Sequence, residues 1–95
     1  TLSVPPPEVA KRCARVKELT ELLCYSPANE HLWIARGNEF MELKQYYAAA
    51  DDYSAAIRLK PGFAQGYYKR SQAYDMLGYE QLAMQDRKHA KQLFT

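Results

Sequence analysis

The chain has 95 residues, of which 47% are hydrophobic and 25% charged, the balance of a globular protein. Its 13 basic and 11 acidic side chains give a net charge of +2, which is too balanced to suggest nucleic-acid binding on electrostatic grounds. No apolar run approaches the roughly 20 residues of a membrane span, and no signal-peptide pattern precedes the first helix. We therefore expect an intracellular protein, in the cytoplasm or the nucleus.

The N-terminal part of the sequence predicts a short tail followed by a long helix. Residues 1–7 contain three consecutive prolines, which lack N–H groups and favour an extended chain, although proline is tolerated in a first helical turn. The first helix is predicted from about Pro7 to Tyr25, and Pro27 ends it. Apolar residues recur on one face of this helix, at Val9, Cys13, Val16, Leu19, Leu22 and Leu23.

Four further helices follow, with local signals at several of their ends. Asn29 is a suitable N-cap, Pro61-Gly62 is a strong helix stop, and Gly78 ends the helix before it. No strand is predicted, because sustained alternation of apolar and polar residues is absent. Short connections make neighbouring helices antiparallel, so the sequence predicts an all-α fold of stacked helical hairpins. The four helices are predicted at about 30–43, 46–59, 64–77 and 80–94.

The two cysteines, Cys13 and Cys24, both fall in the first predicted helix. They are separated by roughly 16 Å at about 1.5 Å of helical rise per residue, which is too far for a disulfide. We therefore expect buried, reduced thiols in an intracellular protein, with a redox role as the alternative.

The sequence repeats itself with a period of 34 residues. A fixed period in this range is typical of stacked repeats, in which one unit cannot bury its apolar face alone. Repeats of this kind present surfaces and seldom carry chemistry, so the period indicates a binding module. Identical residues recur at Pro27 and Pro61, Arg36 and Arg70, Leu43 and Leu77, Ala49 and Ala83, Asp52 and Asp86, Ala56 and Ala90, and Leu59 and Leu93.

The repeated residues resemble the tetratricopeptide repeat. The resemblance rests on Trp33, Gly37, Phe40, Ala49, Tyr53, Ala56 and Pro61 in one copy and on Tyr67, Ser71, Tyr74, Ala83 and Ala90 in the next. It implies a fragment of an α-solenoid in which paired helices cross at the small residues, with the aromatics Trp33, Phe40, Tyr53 and Tyr74 buried beside them. The implied organisation is a tail at 1–7, a first helix at 8–26 that packs on the repeats, a first repeat at 30–62 and a terminal repeat at 64–95.

The second copy departs from the first at two positions. Arg87 stands where Tyr53 stands in the first copy, a position that normally packs an aromatic against the next unit. A charge there predicts that the last helix faces water and caps the stack. Glu80 replaces the apolar Tyr46, and the adjacent Tyr79 is expected to compensate.

The resemblance implies that the first helix of each hairpin lines a concave groove, where a peptide or helix of a partner protein binds. Positions there that the core does not use recur three to four residues apart and so share a helix face. Tyr68 is the expected anchor, because packing does not explain it as it explains the other repeat tyrosines. The alternative is that these positions are solvated surface. The groove residues are His31, Ile34, Asn38, Met41, Gln65, Tyr68, Lys69 and Gln72.

The favoured function is a protein–protein interaction scaffold, and two alternatives stay open. The stretch 60–83 also resembles the last repeat of co-chaperone domains, which hold the acidic C-terminal tail of heat-shock chaperones with Lys, Arg and Asn side chains. When 60–83 is aligned with that last repeat, Ala35 and Gln65 occupy clamp positions and only Lys69 supplies a cation. When the first copy is instead aligned with the opening repeat of such a domain, Asn38 is retained but Ile34 occupies a Lys position. The second alternative is self-association through the open ends of the stack, and we expect a monomer or a weak homodimer.

No enzyme, cofactor or metal site is predicted. The sequence has no convergent nucleophile and base, no glycine loop for a phosphate, and no ligand spacing around His31 or His89. Asp51 and Asp52 are expected to be solvated. The basic cluster on the first helix has no interleaved aromatic residue, so nucleic acid is not an expected partner. A membrane is not expected either, because no apolar run is long enough to span one. Because the sequence begins at Thr1 rather than Met, we expect it to be a domain of a longer protein.

Overall fold

The computed structural model describes residues 4–94, which form five α-helices and no strand. The helices match the predicted ones, except that α2 ends at Glu42, one residue before the predicted Leu43. Residues 1–3 of the predicted tail and Thr95 lie outside the described residues. The helices are α1 (Pro7–Tyr25), α2 (Glu30–Glu42), α3 (Tyr46–Leu59), α4 (Ala64–Leu77) and α5 (Glu80–Phe94).

Local chemistry sets the helix ends. Asn29 caps α2, since its side-chain oxygen accepts a hydrogen bond from the His31 N–H at 3.0 Å. Gly78 follows α4 in the left-handed conformation, with φ of 81°, which glycine adopts without steric cost. Lys44, between α2 and α3, has φ of 61° and is the non-glycine residue that takes this conformation within the described residues.

Each helix packs on the next one along the chain, which gives an elongated stack of 51 × 32 × 16 Å. The hairpin α2–α3 is followed by the hairpin α4–α5, and α3 also packs on α4. The first helix, α1, packs on α2. This is the predicted all-α arrangement of stacked antiparallel hairpins.

Small residues allow the helices of each hairpin to approach closely. Ala49, Ala83 and Ser71 are fully buried, and Gly37 is buried as well. A Cβ atom at Gly37 would lie 2.7 Å from Cε1 of Tyr53, so any side chain there would collide with the ring. Tyr53 is the largest fully buried side chain and anchors the cluster of Ile34, Ala49, Ala50, Ala56 and Ala73.

The other aromatic residues of the repeats are less buried than predicted. Trp33, Phe40 and Tyr74 are half-buried and pack against the edge of the central cluster. The reason is that alanines occupy the helix crossings, so the large rings lie at the margin. There the Arg36 guanidinium covers the rings of Trp33 and Phe40, with Cζ 5.2 Å and 5.7 Å from the two centroids.

The prediction that the cysteines are buried is wrong. Both Cys13 and Cys24 are exposed, because α1 packs on α2 through one face and buries just Leu19 and Leu23 there. Leu22, which the sequence places on the same apolar stripe, is also largely exposed. The two thiols are free, as expected from their spacing.

Asp52 is not solvated as predicted but buried in an ion pair between α2 and α3. Nε and Nη2 of Arg36 each donate to one Asp52 carboxylate oxygen at 2.8 Å. Burial raises the pKa of the Asp52 carboxyl, against the opposing effect of the hydrogen bond from Arg36. The second hairpin repeats the pair, with Arg70 donating to the two Asp86 oxygens at 2.7 and 2.8 Å.

Candidate functional site

A polar hollow of about 380 Å³ lies beside α2 and α4, the two helices that the sequence places in the groove. Both helices contribute lining residues, because each is the first helix of its hairpin and the two hairpins stack side by side. Four predicted groove residues line it: Asn38, Met41, Lys69 and Gln72. The remaining lining residues are Arg12, Glu39, Glu42 and Tyr53.

Asn38 is held at the hollow by the buried Tyr53. The Tyr53 hydroxyl donates to Oδ1 of Asn38 at 2.6 Å. Burial raises the pKa of this hydroxyl, with further contributions from the charges of Asp52 and Glu42, so it remains a donor at neutral pH. Since the carbonyl side of the amide is occupied, the Asn38 NH2 group is the part available to donate to a bound molecule.

Both signs of charge line the hollow. Arg12 of α1 donates to Glu39 at 3.1 Å and lies 3.8 Å from Glu42, so it ties α1 to α2 and neutralises part of the acidic charge. The hydrogen bond with Glu39 raises the pKa of Arg12. Within residues 4–94, no carboxylate lies within salt-bridge distance of Lys69, which leaves its ammonium group unpaired at the hollow.

The other four predicted groove residues lie elsewhere. Ile34 is not a groove residue: it is 5% exposed and belongs to the core, because Ala50 and Tyr53 of α3 and Ala73 of α4 enclose it. His31 is exposed and meets the edge of Phe63, with ring centroids 5.6 Å apart. Gln65 is exposed and away from the hollow.

Tyr68 lines a separate, apolar hollow between α4 and α5. This second hollow has a volume of about 410 Å³ and is also lined by Arg87, Ala90, Lys91 and Phe94. Tyr68 is 46% exposed there. The structure therefore separates Tyr68 from Asn38 and Lys69, although Tyr68 and Lys69 are adjacent in sequence.

Sequence reasoning missed four residues that line the polar hollow. Glu39 and Glu42 share helix α2 with Asn38 and could have been found from helical spacing alone. Arg12 could not, because it reaches Glu39 across 27 positions of sequence. Tyr53 occupies a core position of the repeat, and its hydroxyl reaches the hollow because the ring packs against Gly37 of α2.

The departures of the second repeat also have visible consequences. Arg87 is exposed and pairs with Asp75 at 2.6 Å, as expected for a charged position on a face that no described helix covers. Tyr79 lies beside Tyr74, with ring centroids 6.1 Å apart, and its hydroxyl is 2.8 Å from that of Tyr47. Tyr79 thus supplies aromatic contacts next to Glu80.

None of the helices within residues 4–94 is long and apolar enough to cross a bilayer. In the same range, His, Cys, Asp and Glu side chains form no group of three that could hold a metal ion.

Comparison with known proteins agrees with the architecture. The family model described as TPR repeat matches residues 37–78, which comprise the C-terminal part of α2, all of α3 and α4, and Gly78. No curated protein matches the sequence.

Solved structures of MamA have a similar fold. A structure designated MamA MSR-1 matches with a TM-score of 0.83 and 22% identity, over 90% of this chain and 49% of that one. MamA AMB-1 matches with a TM-score of 0.83 and 22% identity, over 90% of this chain and 51% of that one. Another crystal structure of MamA matches with a TM-score of 0.82 and 21% identity, over 86% of this chain and 45% of that one. The chain spans about half the length of these proteins. Residues 37–78 therefore match the tetratricopeptide repeat, and the stacked helices of the chain have the same fold as these structures.

Proposed function

We propose that the chain binds an extended peptide segment of a partner protein in the polar hollow beside α2 and α4. The observation that carries this proposal is the fixed orientation of Asn38, whose amide oxygen is occupied by the Tyr53 hydroxyl at 2.6 Å. An oriented donor needs no further ordering when a ligand arrives, which lowers the entropic cost of binding. Proteins that carry such repeats generally serve as interaction scaffolds and not as enzymes.

The chemistry of the hollow suits a peptide backbone. The NH2 groups of Asn38 and Gln72 can donate to peptide carbonyl oxygens, and Met41 offers a flexible apolar contact. The unpaired Lys69 favours an acidic side chain on the peptide. Together these groups can recognise a short polar segment with one acidic residue.

An acidic chaperone tail is a weaker candidate for the same hollow. Its clustered carboxylates would meet Lys69 but also Glu39 and Glu42, which line the hollow, and Arg12 is already engaged with both glutamates. Repulsion between like charges at short range opposes such a ligand. We therefore rank a segment with a single acidic residue above a tail with several.

The test is selection from a random peptide library on the immobilised 95-residue chain, followed by affinity measurements with the selected peptides. Lys69→Ala and Gln72→Ala should each weaken binding by about 1 kcal/mol, the effect of a lost hydrogen bond or partly exposed ion pair. Gln65→Ala is the matched control, because Gln65 lies on α4 outside the hollow. Selected peptides that are insensitive to Lys69→Ala and Gln72→Ala would contradict the proposal.

A further inference from the structure

The 34-residue repeat allows the covered face of α3 to be compared with the same face of α5. On α3, Ala50, Tyr53 and Ile57 are at most 9% exposed and share clusters with Ala73 and Tyr67 of α4. The equivalent residues on α5 are Met84, Arg87 and Lys91, and all three are exposed. A helix thus covers this face in the first hairpin, whereas no described helix covers it in the second.

The first helices of the two hairpins, α2 and α4, also differ in how far equivalent side chains are buried. Ile34 of α2 is 5% exposed, while Tyr68, at the equivalent place on α4, is 46% exposed. Tyr68 belongs to the same uncovered surface, because it lines the apolar hollow with Arg87, Lys91 and Phe94. We call this surface, made of Tyr68, Met84, Arg87, Lys88, Lys91 and Phe94, the α5 face.

The α5 face has the shape and apolar content to receive a helix. Besides the hollow at Tyr68, a second, shallow hollow of about 480 Å³ lies on α5. It is lined by Gln81, Met84, Gln85 and Lys88. Met84 and Phe94 are 61% and 74% exposed, and Met is an adaptable contact residue at binding surfaces. The seating of α4 on α3 is direct precedent, within the same chain, for a helix in this position.

Charge distinguishes the α5 face from the face of α3. Where α4 packs on α3, Nη1 of Arg70 donates to the Ser54 hydroxyl of α3 at 3.0 Å, and Arg36 of α2 likewise donates to the Thr20 hydroxyl of α1 at 3.1 Å. The equivalent position on α5 is Lys88. A docked helix with an arginine equivalent to Arg36 or Arg70 would place that arginine against Lys88, and the two cations would repel each other. A docked helix with an acidic residue at this position would instead place opposite charges together.

The remaining charges on the face are also positive. Within residues 4–94 neither Lys88 nor Lys91 has a carboxylate within salt-bridge distance, and Arg87 has only the exposed Asp75 at 2.6 Å. Asp86 does not compensate them, because it is buried in its pair with Arg70. The face is therefore apolar at Tyr68, Met84 and Phe94, and Lys88 and Lys91 are its cations without a carboxylate partner within residues 4–94.

We propose that the α5 face binds an amphipathic α-helix of a partner protein that carries an Asp or Glu opposite Lys88. This helix would lie on α5 as α4 lies on α3, with apolar residues over Met84 and Tyr68. A second copy of the chain is a poor occupant, because α2 and α4 carry arginine at the decisive position and are already packed. The surface is separate from the polar hollow, so the proposal goes beyond the peptide-binding function.

Two synthetic peptides test whether the α5 face prefers a helix with an acidic residue opposite Lys88. Both have the sequence of residues 63–78, which covers α4 and its flanking residues, and one carries Arg70→Glu. Each is titrated into the isotope-labelled 95-residue chain, with NMR shifts reporting both site and affinity. The Glu peptide should shift residues of the α5 face and bind about fivefold more tightly than the Arg peptide, the effect of one exposed ion pair.

Charge exchange in the protein completes the test. Lys88→Glu should reverse the preference, so that the Arg peptide binds about fivefold more tightly than the Glu peptide. Lys88→Gln, the milder variant, should abolish the preference, and Lys11→Glu, the same charge change on α1, should leave it intact. Equal affinities for the two peptides, shifts confined to the polar hollow, or no binding at millimolar peptide would overturn the proposal.

Discussion

Arg36 and Asp52 join α2 to α3 through two parallel hydrogen bonds of 2.8 Å each, with the carboxylate almost fully buried. Arg70 and Asp86 join α4 to α5 in the same way. Each arginine also donates to a hydroxyl of the preceding helix, Thr20 or Ser54. One side chain per repeat therefore connects three helices, which explains why a charged pair recurs with the period of the fold.

Removing the Asp52 carboxylate should be costly, because it leaves Arg36 partly buried without its partner. We expect Asp52→Ala to lower the free energy of unfolding by about 3 kcal/mol. Glu18 is the matched control, since it stands at the equivalent position of α1 and forms only an exposed pair with Arg15. Glu18→Ala should cost about 0.5 kcal/mol or less in urea unfolding. Equal effects of the two substitutions would contradict the structural role given to the buried pair.

Gly37 should not tolerate even one methyl group. Its added Cβ would lie 2.7 Å from the Tyr53 ring, so we expect Gly37→Ala to destabilise by about 1–3 kcal/mol through overpacking, despite the better helix propensity of alanine. Beyond its two chain neighbours, Gly62 has no heavy atom within 4 Å of its Cβ position, so Gly62→Ala should be neutral or slightly stabilising. Thermal unfolding of the two variants measures the difference. A Gly37→Ala chain as stable as the parent would mean that α2 and α3 are less closely packed than described.

Alkaline pH should destabilise the fold through Tyr53. Its pKa is raised by burial in the folded chain, whereas in the unfolded chain the hydroxyl ionises near pH 10. Above about pH 10 the unfolded state loses this proton while the folded state keeps it, so the free energy of unfolding falls as pH rises.

Urea unfolding at neutral pH and above pH 10 tests this dependence. Tyr53→Phe should weaken it, and should cost about 1 kcal/mol at neutral pH through the lost hydrogen bond to Asn38. Tyr25→Phe, at an exposed position, should change neither value. The pKa of Tyr79 is also raised, by its hydrogen bond to Tyr47, so some alkaline sensitivity should persist in Tyr53→Phe. An unchanged pH dependence in Tyr53→Phe would exclude Tyr53 as its source.

The two thiols should react with maleimide in the native state. Cys13 and Cys24 are both exposed on α1, so mass spectrometry should show two additions at a rate close to that of the chain in urea. Oxidation should not join them within one chain, because they lie roughly 16 Å apart along the helix. Labelling that required prior unfolding would instead support the burial that the sequence suggested.

The sequence by itself determined the helices and their order. Their ends follow from local groups such as the Asn29 cap, Pro61-Gly62 and the left-handed Gly78, which act over a few residues and can be recognised without the fold. The 34-residue period determined the stacking of hairpins, because each repeat carries small residues at its crossing. Helical spacing within α2 and within α4 also predicted that Asn38, Met41, Lys69 and Gln72 lie on one surface, and all four line the polar hollow.

Only the tertiary structure decided which side chains those helices bury. Ile34 follows the spacing of the groove residues but is enclosed by α3 and α4, and Asp52 is enclosed because Arg36 reaches it from α2. Cys13 and Cys24 lie on the exposed part of α1, which packs on α2 through a different face. Burial depends on how helices distant in sequence cross, and hydropathy along one helix does not contain that information.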